Sequence, residues 1–259
     1  MSESFFVMEG SHYVACDAAR GPWHPEHCHA GPVTAAVARE IERLFEGRKP
    51  LVRLTVELIR PVPTTGFAIA AEVSRDGKRL ATARAVVSGL DGRICANATA
   101  TLTLPIEMPL APTSEVPLWR LEDSYASSFS FPNRPHRLRC FPDCVETRYP
   151  NGHDSSPGPT AMWMRTPPLL PEETPSPFQR ICPLADCANA ISRNAETSDM
   201  TFLNTDLTIV MHRASMSDWF LADAVSHWHT TGVGLAESRI SDEAGPVATA
   251  LQSLILQPV

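Results

Sequence analysis

The chain has 259 residues, enough for one large domain or two small ones, and its 43% hydrophobic and 20% charged residues suit a globular protein in water. A net charge of −7 argues against nucleic acid as a partner, because phosphate binding needs concentrated positive charge. No run of about 18 apolar residues is present for a membrane span, the first nine residues do not read as a secretory signal, and seven cysteines spread over both halves fit a reducing compartment, so a cytoplasmic location without membrane contact is expected.

The first conspicuous feature is the cluster His24, His27, Cys28 and His29. Zinc would explain it, but ordered zinc sites usually draw ligands from more than one segment, and neither metal nor cofactor is expected. Val33, Val37, Ile41, Leu44 and Phe45 then recur at helical spacing and predict a helix over 30–46. Strands are predicted at 51–60, 67–75, 80–88 and 94–104, the later ones separated by the hairpin signals Asp76-Gly77 and Asp91-Gly92. Residues 105–117 are rich in proline and read as an exit. The loop-rich stretch 131–177 carries many of the 24 prolines, with short strands at 144–149 and 160–165. A second helix is predicted over 183–193, Pro183 taking its first turn, where a missing N–H costs nothing. Strands at 201–213, 219–227, 234–241 and 247–256 follow.

The two series are one series repeated. An offset of 153 residues lays Leu54-Thr55 on Leu207-Thr208, Arg60 on Arg213, Phe67 on Phe220, Ala71 on Ala224, Ala83 on Ala236, Ser88 on Ser241 and Gly92 on Gly245. One helix on a curved antiparallel sheet, twice, is an α+β layout. Joining the sheets edge to edge with the helices alongside gives a pseudo-dimer with a pseudo-twofold axis. The expected division is 1–110, a linker 111–141, and 142–259, with further pairing into a homo-oligomer.

The segment Arg53-Leu-Thr-Val-Glu-Leu-Ile-Arg-Pro-Val-Pro63, after the helix opened by His29-Ala-Gly-Pro32, resembles the first half of the acyl-CoA thioesterase II family. Leu184-Ala-Asp-Cys-Ala-Asn189, Asn204-Thr-Asp-Leu-Thr208 with His212-Arg213, Gly234-Leu-Ala-Glu-Ser-Arg239 and Val247-Ala-Thr-Ala-Leu-Gln252 resemble its second half. The resemblance implies a double hotdog fold and hydrolysis of acyl-CoA, the expected substrate, by a water held among an Asp, a Thr or Ser, and a Gln. These roles fall on Asp186, Asn204 and Gln252. Asn204 departs from the family pattern, although an amide also hydrogen-bonds water.

Each residue has a plainer reading. Asp186 lies in the first turn of the expected helix, where the dipole favours any acid, and shares a polar stripe with Asn189 and Arg193. Gln252 shares a strand face with Ala250 and Leu254, so its amide must find buried partners. Asp206 is left outside the set, to pair with Arg213 or cap a turn. The loop His29, Ala30 and Gly31 is assigned to substrate binding: Pro32 has no N–H, so the N–H groups of Ala30 and Gly31 must serve the thioester oxyanion. The offset puts Val33, Leu51 and Thr99 opposite Asp186, Asn204 and Gln252, implying one working site per chain. The absence of a Gly-x-Ser-x-Gly elbow counts against a serine hydrolase. Rival readings are a hotdog-type enoyl-CoA hydratase using Asp223 and His227, and a non-catalytic acyl-CoA or acyl-carrier binding module.

Overall fold

The computed structural model describes residues 4–108, 118–129, 131 and 134–259. Its elements are β1 (Phe6–Glu9), β2 (His12–Ala15), α1 (Ala30–Arg43), β3 (Leu51–Leu58), β4 (Phe67–Asp76), β5 (Leu80–Gly89), β6 (Ile94–Thr103) and β7 (Ser124–Ser127). There follow α2 (Phe141–Cys144), β8 (Glu146–Pro150), β9 (Thr160–Arg165), α3 (Pro177–Ala185), α4 (Ala188–Ile191), β10 (Met200–Asn204), β11 (Asp206–Met211), β12 (Phe220–Trp228), β13 (Val233–Asp242) and β14 (Gly245–Pro258). No helix among the described residues is long and apolar enough to cross a membrane.

All strands join one antiparallel sheet in the order β1-β2-β4-β5-β6-β3-β11-β14-β13-β12-β9-β8-β7, with β10 also on β14. The halves meet at β3 and β11, where Thr55 lies opposite Thr208 and the two hydroxyls are 3.1 Å apart. These residues are separated by the repeat offset itself. In a twofold arrangement only a residue on the axis meets its own equivalent, so the pseudo-twofold passes through this pair.

Helix α1 is buried without a break from Gly31 to Ala38, and again at Ile41. A stretch buried on every side is core, and here the sheet and α3 enclose it, while Arg39, Glu40, Glu42 and Arg43 bring charge to the helix's last turns. Full burial of each Val or Ile contributes roughly 1.5–3 kcal/mol. The two helices are antiparallel: Gly31 at the start of α1 lies on Pro183 near the end of α3, while Glu42 reaches Ser176 and Gln179 at the start of α3. A Cβ at Gly31 would stand 2.8 Å from Pro183 Cα, so only glycine allows this approach.

Two expectations are corrected. The second helix starts at Pro177, not Pro183. Ser176 caps it by accepting from Gln179 N–H, and Pro177 takes the first-turn position expected of Pro183. Pro183 sits inside the helix, which ends at Ala185. The long strand expected at 201–213 breaks at Thr205 into β10 and β11. The short strands β1, β2 and β7 and the turn-length α2 were not foreseen, since four residues give too little alternation to read. Of the expected linker, 111–117, 130, 132 and 133 lie outside the described residues, while β7 pairs with β8 in the second half of the sheet.

Candidate active site

Asp186 is the C-cap of α3, with φ −78° and ψ −8°, not a first-turn residue. That overturns its plain reading, because a helix C-terminus disfavours a negative charge by about 0.3–1 kcal/mol. The carboxylate is instead held by donors. It is 4% exposed, and Oδ1 accepts from Asn204 Nδ2 at 2.9 Å and from Gln252 Nε2 at 3.0 Å. Its Oδ2 lies 3.0 Å from His29 Nδ1. Hydrogen bonds to an ionised acceptor are about twice as strong as neutral ones.

The local sequence explains each placement. Along β14, residues alternate between faces, and Gln252 points inward with Ala250 and Leu254, fully buried. Its amide is fully engaged: Nε2 also donates to Asp186 O at 3.1 Å, and Oε1 accepts from Asn189 N–H at 3.2 Å. Asn204 ends β10 opposite Leu254, just before the break at Thr205, and is half-buried. The break is fixed by Asp206, whose carboxylate takes Ser253 N–H at 3.0 Å and Ser253 Oγ–H at 2.8 Å. Asp206 does not pair with Arg213, which binds Asp242. The expected stripe of Asp186, Asn189 and Arg193 is interrupted between α3 and α4, and Arg193 turns to Ser155 O and Glu196.

His29 caps the start of α1 and is buried. Two contacts compete for Nδ1: Gly31 N–H at 3.2 Å, which needs a bare nitrogen, and Asp186 Oδ2 at 3.0 Å, which needs an N–H. We assign the proton to Nδ1, donating to Asp186, because a carboxylate is the stronger acceptor and the contact is shorter. Gly31 N–H is then left without His29 as acceptor. The site therefore joins His29 from the first repeat to Asp186, Asn204 and Gln252 from the second. Nothing in the spacing of the sequence signals the His29–Asp186 contact.

Cys182 and Cys187 flank Asp186, and burial raises both thiols well above their ordinary range, with the charges of Glu42 and Asp186 adding to it at Cys182 and that of Asp186 at Cys187. Neither can supply a thiolate nucleophile. Asp223 and His227 stand on the exposed face of β12, away from the helices, which is no setting for a hydratase acid and base. His24 and His27 stack on each other at 3.9 Å, and among the described residues no three His, Cys, Asp or Glu side chains gather as a metal site would need. A cavity of about 240 Å³ runs beside α3, bounded by Ala35, Met164, Gln179, Pro183, Leu184 and Phe220.

In the first repeat the counterparts shift. Ala83 pairs with Ala100, whereas its equivalent Ala236 pairs with Gln252, so the second hairpin is one residue shorter. The counterpart of Gln252 is thus Ala100, not Thr99, which faces out. A slip of one residue turns every side chain to the other face. Counted from the helix caps His29 and Ser176, the counterpart of Asp186 is Arg39, not Val33.

The acyl-CoA thioesterase N-terminal domain matches residues 19–103, and the acyl-CoA thioesterase C-terminal domain matches residues 120–256. No curated protein matches the chain by sequence. Among solved structures, a protein of Novosphingobium aromaticivorans provisionally assigned as a thioesterase is 19% identical with a TM-score of 0.77, covering 98% of each chain. A hot dog protein of unknown function from Alicyclobacillus acidocaldarius is 15% identical with a TM-score of 0.74, over 95% of this chain and 92% of that one. The acyl-CoA thioesterase II TesB2 of Mycobacterium marinum is 18% identical with a TM-score of 0.61, over 100% and 95%.

Proposed function

The chain belongs to the acyl-CoA thioesterase family and is a thioester hydrolase, and from that premise we propose that it hydrolyses acyl-CoA in the cytoplasm by a water molecule activated at Asp186. The observation that carries this reading is a buried carboxylate at the wrong end of a helix for its charge, held by three donors from separate elements. Gln252, with both amide ends engaged, positions Asp186 and does not reach the water. Asn204 is half-buried, and its carbonyl oxygen orients the water. His29 holds Oδ2 and fixes the carboxylate plane.

In the step itself, Asp186 takes a proton from the water as its oxygen bonds to the thioester carbon. N–H groups at the start of α1, Ala30 and Gly31 among them, receive the developing oxyanion. The C–S bond then breaks and the electron pair leaves on the coenzyme A sulfur, a thiolate stable enough to depart without strong acid assistance. Asp186 returns its proton to that thiolate. One positioned base is worth about 10²–10⁴ in rate. Thiol release across a panel of acyl-CoA chain lengths tests this: Asp186→Asn should keep fold and ligand affinity and lose kcat by that factor. Parent-rate turnover by that variant would sink the mechanism.

The acyl chain is assigned to the cavity beside α3, whose lining at Pro183 is shared with the Gly31 contact next to His29. Two units, 1–110 and 142–259, joined by 111–141, are supported by the two domain matches, with β7 extending the second unit back into the connector. Association into a homo-oligomer is supported by the exposed row Leu203, Ile255 and Val233 across β10, β14 and β13. Light scattering that returns the mass of a single chain would remove that element.

A further inference from the structure

We propose that Phe141, from the segment between the repeats, is a positioning residue that fixes the imidazole plane of His29 and so aims Nδ1 at Asp186. This rests on the role proposed for His29. The His29 ring lies 4.0 Å from that of Phe141 with an 18° angle between them, a parallel stack. Trp23 approaches the same imidazole at 5.4 Å. Rotation of the imidazole about its Cβ–Cγ bond would drive its edge into the Phe141 ring, so the stack restricts the ring to orientations near the one observed.

Phe141 is itself rigidly held. It is fully buried, stacks with Phe5 at 6.1 Å and meets Phe129 edge-on at 6.5 Å. Its N–H donates to Arg20 O at 2.9 Å. Arg20 Nη1 donates to Arg139 O at 2.6 Å, and His136 Nε2 lies 3.0 Å from Gly21 O. Asp143 ties off the turn, accepting from Cys140 N–H at 3.1 Å and from Arg134 at 2.6 Å. The segment is therefore fastened to the same loop that ends in His29, and its first helical residue presents the ring. A chain segment belonging to neither helix of the pair decides how the two halves of the site face each other.

A double-mutant cycle tests this with acyl-CoA thiol release read as kcat across pH. Phe141→Met keeps apolar volume and removes the ring, and Phe141→Tyr keeps the ring. Phe141→Met should lower kcat about three- to tenfold with KM nearly unchanged and move the kcat–pH profile, while Phe141→Tyr stays near parent. In a His29→Asn background Phe141→Met should cause no further loss. A full second loss in that background overturns the proposal, as does a parent-like rate and pH profile for Phe141→Met while His29→Asn is slow. If His29→Asn is itself silent, the role of His29 fails first and the positioning role falls with it. Should Phe141→Met fold poorly, the imidazole nitrogen shifts of His29 in Phe141→Leu decide instead: unchanged shifts count against positioning.

Discussion

The two ends of the helix pair are built on one plan and equipped differently. At one end the cap of α1, His29, meets Asp186 at the end of α3. At the other the cap of α3, Ser176, donates to Glu42 Oε1 at 2.9 Å near the end of α1. Gln179 adds a second donor to Glu42 at 2.7 Å. Around Asp186 the sheet contributes Gln252 and Asn204; at the equivalent strand positions of the first repeat it offers Ala100 and Leu51, both buried and apolar. Symmetry supplies two comparable ends, and side-chain choice gives the Asp186 end, not the Glu42 end, amide donors from the sheet. Other strands of the sheet show the same contrast. Tyr13 opposite Phe67 stacks ring on ring at 5.3 Å, whereas the equivalent pair, Met164 opposite Phe220, borders the open cavity.

The largest test of that contrast sets the two acids against each other. Asp186→Asn should lose about 10²–10⁴ in kcat, while Glu42→Gln should leave kcat within a factor of about two, as residues away from the chemistry do. A large kcat loss for Glu42→Gln would break the comparison. Next, Gly31→Ala forces a Cβ to 2.8 Å from Pro183 Cα and 2.9 Å from its carbonyl oxygen. It should destabilise by about 1–3 kcal/mol, read as a drop of several degrees in Tm, and disturb the His29–Asp186 contact with it. Met164→Trp brings the second repeat closer to the filled first one; turnover of long acyl chains should fall several-fold while short chains are spared, and an unchanged chain-length profile would remove the acyl chain from this cavity.

Glu42→Gln also carries a pH signature. Burial raises the Glu42 carboxyl above its ordinary 4.5, outweighing donation by Gln179 and Ser176. A raised carboxyl contributes stability fully below the ordinary value and loses it as pH rises through the raised one. Thermal denaturation across pH should therefore show Glu42→Gln gaining on the parent from pH 4.5 upward, with no difference in slope below it. A small effect is also expected of Asn204→Thr, which restores the usual family residue and should change kcat by no more than a few-fold in a thiol-release assay.

Much of the fold was legible because its signals are local. Strand-like runs predicted β4, β5 and β9 within a residue or so of their ends, and Val33, Val37 and Ile41 predicted α1. The repeat predicted a pseudo-twofold, since equivalent strands keep equivalent patterns, and the strand pairing put its axis at Thr55 and Thr208. The residue types at 186, 204 and 252 also came from sequence, through resemblance.

Only the tertiary structure decided how these residues meet. Helix α3 ends at Asp186 because Ser176 caps it earlier than Pro183 suggested, which reverses the sign of the helix dipole at the carboxylate. Ala100, not Thr99, faces the position of Gln252, because one residue of hairpin length turns a whole strand over. The approach of His29 to Asp186, and of Phe141 to His29, joins segments more than a hundred residues apart. No local period encodes such contacts; they arise when a helix without a Cβ at Gly31 packs against Pro183 and brings the two ends together.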